Sequence, residues 1–432
     1  MHIGYLSISS GFGAAVQEAD APLDKGSSLL DWGPTVNVRT LLSSTAHLLY
    51  LCGCLVPKSK DVWVFGAWMG VRFTDNPMRL FLYAQAAGEK KCVWVAWSPA
   101  LVRRLRRQGY EACYCASLQG LWWQMRAGKV FFTHDIDKDM LGPAISGRTQ
   151  RYQLWHGTPL KKIRYGVKAG DRKVGVSTGR RLLHVLFPWK SDTGYDFVPA
   201  ASDASIDHLK EAFRTEHVVV TGYPRNDVLV PGDIADSRPP VTRCIYMPTF
   251  RGEFQTTESS VWTGRFLSET GFDVERLDRE FLAMGITMTL RLHPTNMPDP
   301  GMIERILHSR TINFDTTEDI YGLLNTYDLL ITDYSSIFFD FAITGKPIIH
   351  APFDLEDYKR RNRDLYFEYE EISLTPAVRS WDDVIQLIRE FREQGASPDY
   401  IARYRALANR FNRYIDNESS RRVYEWACGH VR

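Results

Sequence analysis

Short apolar runs that end in polar tips recur along this chain. Leu329-Leu330-Ile331 reads as a buried strand closed by Thr332-Asp333. Ser335-Ser336 then stand where a helix can be capped, and Phe338, Phe339, Phe341, Ala342 and Ile343 form its apolar side. Gly345-Lys346-Pro347 ends that helix, and Ile348-Ile349-His350 reads as the next strand. The order strand, polar turn, helix, strand predicts a parallel crossover. At such a turn, free backbone N–H groups and the positive end of a helix dipole can meet an anion. On this stretch alone, an ordinary capped helix fits as well as an anion site.

Other runs repeat the design. Cys244-Ile245-Tyr246-Met247 ends in Pro248-Thr249 and Arg251, and Met288 to Leu292 carries Arg291 and ends in His293-Pro294. A guanidinium fork suits phosphate, and a proline at a strand tip stops regular pairing. Upstream, Lys129 to Phe132 ends in Thr133-His134-Asp135. The run at Arg151 to Trp155 ends in His156-Gly157-Thr158-Pro159-Leu160-Lys161-Lys162, and Val218-Val219-Val220 leads into a glycine turn and Arg225. A core does not need these polar tips. In open parallel sheets, ligands bind at the carboxyl edge where such tips collect.

Three further patterns matter. Residues 41–56 form an apolar stretch too short to span a bilayer and of a kind that lies in an interface or packs as an ordinary helix. Arg103, Arg104, Arg106 and Arg107, with Lys90 and Lys91, make one basic cluster. A second runs from Arg164 to Lys190, with Phe187-Pro188-Trp189 among its charges. Such clusters suit an anionic membrane surface, a polyanionic product, or a plain solvated face. Val230 to Val241 reads as a Pro-rich linker, and Trp381 to Gln394 and Tyr400 to Arg413 read as helices.

Composition narrows the class. The 432 residues allow two domains of ordinary size, and 44% hydrophobic with 24% charged residues describes a globular chain. Fifty-three basic against 51 acidic residues leave a net charge of +2, without the basic excess of a nucleic-acid binder. Seven scattered cysteines, with C-x-C pairs at Cys52/Cys54 and Cys113/Cys115 but no partner pairs, read as reduced thiols. The first residues lack the pattern of a secretory signal.

The quoted stretches, in order and together, resemble the CDP-glycerol glycerophosphotransferases: the teichoic acid primases and polymerases and related capsule polymerases. The resemblance rests on VWVFGAWMGVRFTDNPMRLFLYA, QLWHGTPLKKI, TGYPRNDVL, IYMPTFRG, LRLHPTN, EDIYGLLNTYDLLITDYSSIFFDFAITGKPIIHAPFDLEDYKR and IDNESSRRVYEW, and it runs over roughly residues 62–426. It implies an α/β fold of glycosyltransferase-B type, two Rossmann-like lobes with a cleft between them. The expected division is an N-terminal extension at 1–60, an acceptor-side lobe at 61–230, and a CDP-donor lobe with C-terminal helices at 241–432. The last helix is expected to cross back to the first lobe. Asn417 stands where the family has glycine, and asparagine tolerates left-handed backbone.

The implied activity transfers glycerol phosphate, or another polyol phosphate, from a CDP-linked donor to a hydroxyl of a lipid-linked or polymeric acceptor. Neither cofactor nor metal is expected, and no nucleic acid. The implied place is peripheral, at the cytoplasmic face of the membrane. Donor contacts carry over to Gly157, Thr158, Pro159, Leu160, Arg225, Pro248, Thr249, Arg251, Arg291, Leu292, Ser335, Ser336 and Asp340. Such a transfer depends on positioning and electrostatics. His156 is expected as the base, since imidazole suits proton transfer near neutral pH, and His293 as the group meeting the leaving phosphate. Asp340, four residues after Ser336, can take a ribose hydroxyl, orient a cation, or simply lie on the helix surface. A nucleotide-sugar glycosyltransferase or a sugar-nucleotide epimerase of the same fold is the alternative, disfavoured because no pair of glutamates stands at the turn.

Overall fold

The computed structural model describes residues 38–167, 194–236, 241–249, 266–292, 297–356, 358, 364–376 and 378–429. Of the sequence expectations, His293, Arg251 and most of the basic stretch from Arg164 to Lys190 lie outside the described residues.

Two parallel sheets carry the fold. The first contains β1 (Ser59–Phe65), β2 (Lys91–Ala96), β3 (Ala112–Tyr114), β4 (Ala127–Phe132) and β5 (Gln150–Gln153), ordered β3-β2-β1-β4-β5. A parallel bridge from Tyr152 to Phe197 extends it toward the small pair β6 (Val198–Ala200) and β7 (Val218–Val220). The second contains β8 (Arg243–Met247), β9 (Thr287–Leu290), β10 (Ile312–Phe314), β11 (Leu329–Thr332) and β12 (Ile348–His350), ordered β10-β9-β8-β11-β12. The two orders are the same, so the design read twice in the sequence is built twice in the fold. Each order reverses between its first and fourth strands, β1/β4 and β8/β11. Tips at such a reversal open onto a crevice.

All four residues of β5 and of β11 are buried, as expected of parallel sheets. Trp63, Phe65, Phe131 and Tyr152 pack with Leu80, Phe81 and Trp94 in the first lobe. In the second, Tyr246, Met288 and Ile331 pack on Phe281, Ile306 and Trp381 on one face. Ile245, Leu330 and Ile348 pack on Phe338, Phe341 and Tyr404 on the other.

The helix after β11 is shorter than the pattern suggested. It covers Ile337–Phe341, then tightens to a 3₁₀ turn at Ala342–Thr344 and ends at Gly345 with φ +65°. Ser336 is its N-cap, but the Ser336 hydroxyl takes no backbone N–H of the first turn. The expected C-terminal helices are Trp381–Glu393 and Pro398–Phe411. The second starts earlier than the periodicity suggested because Ser397 caps it, accepting from the Tyr400 N–H at 3.2 Å.

The last helix, Ser419–Gly429, returns to the first lobe, where Val423, Tyr424 and Ala427 join the core around Trp63. The turn before it is anchored on Asp227, whose carboxylate accepts from the N–H groups of Ser419 at 2.8 Å and Ser420 at 2.7 Å. Asn417 adopts φ +60° there, and its Nδ2 donates to the carbonyls of Asp227 and Leu229, both at 2.6 Å. The apolar stretch at 41–56 falls in a helix, Val38–Leu55, with Leu48, Leu51 and Leu55 exposed along one side. Among the described residues, no helix is long and apolar enough to cross a membrane.

Asn417→Val should lower stability by about 1–3 kcal/mol, because a β-branched residue is strained at positive φ. Asn417→Gly should lose less. Urea unfolding midpoints measure both, and a valine variant as stable as the parent would contradict the backbone reading.

Candidate active site

The tips of β4 and β5 are tied together first. The Gln153 side chain donates to the carbonyl of His134 and accepts from the Trp155 N–H at 2.9 Å. Trp155 takes φ +51° and Gly157 φ +112°, so the chain turns sharply on either side of His156. That turn sets the His156 ring face to face with His134, centroids 5.4 Å apart at 26°, with Trp68 6.2 Å away. His156 is enclosed on most sides yet keeps some accessible surface. Its Nδ1 is buried without a hydrogen-bond partner among the described residues, which leaves Nε2 as the nitrogen that a substrate can meet. Burial first, then His134 and the Arg225 charge, hold the imidazole pKa well below its ordinary 6.5.

Beneath this turn lies a buried charge network. The Arg225 guanidinium donates from Nη1 to Asp75 Oδ1 at 3.2 Å and from Nη2 to Asp340 Oδ2 at 2.6 Å. Asp340 also accepts from Tyr321 OH at 2.7 Å and Asn226 Nδ2 at 2.8 Å. Asp75 accepts from the Trp68 indole N–H at 3.0 Å and from the Asn76 N–H at 2.9 Å. Asn76 then clamps the turn itself: its Nδ2 donates to the carbonyls of Leu154 and Trp155, each at 3.0 Å, and its Oδ1 accepts from the Arg225 N–H at 3.0 Å. Gly157 is obligatory here, because a Cβ at that position would overlap the Arg225 guanidinium. Burial by itself would lower the Arg225 pKa. Tyr321, Asp340 and Asp75 reverse that and keep it charged.

Arg225 and Asp340, both expected among the donor contacts, are thus buried against each other rather than turned to solvent. Of the readings open for Asp340, orienting a cation matches its geometry. A surface position does not, since it is fully buried.

The loop after His156 reaches the segment at 364–366, beyond β12. Thr158 and Leu160 are buried, and the Leu160 carbonyl accepts from the Tyr366 N–H at 2.8 Å. The Lys162 N–H donates to the Asp364 carbonyl at 2.8 Å, and the Lys162 and Asp364 side chains form an ion pair at 3.2 Å.

On the second sheet, the expected residues line up at neighbouring tips. Pro248-Thr249 follows β8, Arg291-Leu292 follows β9, and Ser335-Ser336 follows β11. Asp333, not singled out in the sequence, joins two of these tips by accepting from the Thr249 N–H at 2.7 Å and from the Tyr334 N–H. Ser335 and Ser336 are partly exposed. Arg291 pairs with Asp315 and donates to the Thr317 carbonyl at 2.9 Å, so one side of its fork is already engaged. Among the described residues, no group of three or more His, Cys, Asp or Glu is placed to hold a metal.

The family model described as CDP-Glycerol:Poly(glycerophosphate) glycerophosphotransferase matches residues 48–428. The teichoic acid poly(glycerol phosphate) polymerase of Bacillus subtilis (strain 168) is 25% identical over 373 residues, covering 83% of this chain and 47% of that protein. The chain thus spans about half the length of that relative. The teichoic acid glycerol-phosphate transferase of Staphylococcus aureus (strain NCTC 8325 / PS 47) is 25% identical over 410 residues, covering 89% of this chain and 98% of that protein. The solved structure of the wall teichoic acid polymerase TagF superposes with a TM-score of 0.68 at 20% identity, over 91% of this chain and 96% of that one. The likeness to that structure identifies the shared fold, a glycosyltransferase-B-type arrangement of parallel sheets.

Arg225→Met should destabilise the protein by about 3–5 kcal/mol, because it strands two buried carboxylates. Chemical denaturation at neutral pH measures it. A loss below ~1 kcal/mol would mean that Asp75 and Asp340 are satisfied without the guanidinium.

Proposed function

Because the chain belongs to the CDP-glycerol:poly(glycerophosphate) glycerophosphotransferase family, we propose that it moves a glycerol phosphate, or another polyol phosphate, from a CDP-linked donor to a hydroxyl of a lipid-linked or polymeric acceptor. The reaction releases CMP and serves teichoic acid or capsule synthesis. One observation carries the reading beyond family membership. His156, partly exposed, stands at the tip of β5 on the turn whose Gly157 packs against Arg225, itself paired with Asp340 in the helix after β11.

In this reading the attacking hydroxyl gives its proton to His156 as its oxygen bonds to the distal phosphorus. The bond from phosphorus to CMP breaks, and CMP leaves with the electron pair. The donor diphosphate lies against Pro248-Thr249, Arg291-Leu292 and Ser335-Ser336, with Arg251 and His293 following in the chain. Their hydroxyls, N–H groups and positive charges meet the phosphates. Gly157 to Leu160 complete the donor pocket from the other lobe. Arg225 and Asp340 act on the donor indirectly, by fixing the His156 turn against the helix Ile337–Phe341.

The protein works as a peripheral protein at the cytoplasmic face of the membrane. Leu48, Leu51 and Leu55 supply an exposed apolar stripe at helical spacing. Part of the first basic cluster is spent internally: Arg104 pairs with Glu318, Lys90 with Asp61 and Lys91 with Glu111. Arg103 and Arg107 are exposed.

His156→Ala should reduce transfer by roughly 10²–10⁴ while leaving donor affinity nearly unchanged. Near-normal turnover would remove His156 from the chemistry. The depressed pKa of His156 keeps its imidazole neutral at pH 6.5 and above. The acid limb of kcat/KM should therefore fall below that pH, and an acid limb above 6.5 would contradict the assignment. Binding to anionic vesicles should be strong at low salt and largely released by high salt, since surface charge attraction is screened. Release by detergent alone would instead make the apolar stripe the anchor, and no binding at low salt would remove the membrane from the reading.

A further inference from the structure

His134 exchanges no proton with substrate in the chemistry above, yet it is built like a binding group. Its Nδ1 lies 3.0 Å from the Thr133 hydroxyl oxygen and 3.6 Å from Asp139 Oδ1. The Thr133 hydroxyl has a single proton, and Asp139 Oδ2 lies 3.1 Å away to accept it. Asp139 is fully buried and also accepts from the N–H groups of Thr133, His134 and Met69, which marks it as a carboxylate acceptor. The Thr133 oxygen takes the Trp68 N–H at 3.1 Å as well. With its proton committed to Asp139, Thr133 is left to accept from His134. Nδ1 of His134 therefore carries the hydrogen, and Nε2 carries the lone pair.

That Nε2 makes no hydrogen bond among the described residues, and the side chain is 23% exposed. The ring lies stacked beside His156, held there by the Gln153 bridge between the two strand tips. Two imidazoles side by side, each with one reachable nitrogen, match a substrate end that presents two neighbouring hydroxyls. We propose that His134 is a specificity residue of the acceptor site: its Nε2 accepts a hydrogen bond from the hydroxyl next to the attacking one, so that the chain selects acceptors ending in a vicinal diol. This rests on the transferase reading given above.

The test uses the full-length protein, CDP-glycerol as donor, and two short glycerol-phosphate acceptors. One ends in glycerol, and in the other the hydroxyl next to the attacking one is replaced by hydrogen. His134→Asn is the variant of choice, since its amide still donates to Thr133 but offers no acceptor where Nε2 stood. With the diol acceptor, His134→Asn should lower kcat/KM about tenfold, the worth of one hydrogen bond, with the KM for CDP-glycerol unchanged. With the deoxy acceptor, the parent and the variant should react alike. Equal losses on both acceptors, or no loss on the diol, would overturn the proposal. If the parent protein transfers to neither acceptor, the transferase reading fails and the proposal falls with it.

Discussion

The Arg225 guanidinium, buried between Asp75 and Asp340, is the constraint on which the site depends. One cation faces two carboxylates from different parts of the fold: Asp75 opens the helix Asp75–Ala87, and Asp340 lies in the helix that follows β11. Burying three charges is costly unless every lone pair and proton is met. Trp68, Asn76, Tyr321 and Asn226 supply further hydrogen bonds to the two carboxylates, while Arg225 Nε stays buried without a partner among the described residues. The guanidinium also covers the face of Tyr321 at 4.6 Å. The consequences spread from there. Gly157 must lack a side chain, Asn76 must span to the carbonyls of Leu154 and Trp155, and His156 must emerge where it does.

Other contacts join segments that flank the two sheets. Arg79 pairs with Asp319, Arg104 pairs with Glu318, and the Phe73 N–H donates to Glu318 at 2.7 Å. The Arg413 N–H donates to the Ala201 carbonyl at 2.9 Å, and the final helix buries Val423 and Tyr424 in the first lobe. The exposed pairs contribute little individually. Their value is in orientation, because phosphoryl transfer rewards the placement of groups more than their reactivity.

Much of this was legible in the sequence, for local reasons. The β11 turn, the stop at Gly345 and the left-handed Asn417 follow from strand pattern and backbone preference. The polar stretches read after the apolar runs do stand at the ends of β4, β5, β8, β9 and β11. The partnerships were not legible. Arg225 lies 150 residues from Asp75 and 115 from Asp340, and no local rule joins them, so both Arg225 and Asp340 read as donor contacts. Arg291 showed a free fork only because Asp315 is distant in sequence. His134 and Asp333 showed only as polar strand tips, and Asp139 carried no signal. Their roles arise from buried carboxylates gathering backbone N–H groups at strand tips, which only the fold brings together.

The central claim is that the crevice between the two sheets handles a CDP-linked polyol and transfers its phosphate. The direct measurement gives the purified protein a polymeric glycerol-phosphate acceptor and a panel of CDP-glycerol, CDP-ribitol and UDP-sugars, and follows nucleotide release and acceptor growth together. The account predicts CMP release matched by acceptor extension with a CDP-polyol, and no turnover with any UDP-sugar. Turnover of a UDP-sugar without CMP release from either CDP-polyol would contradict it.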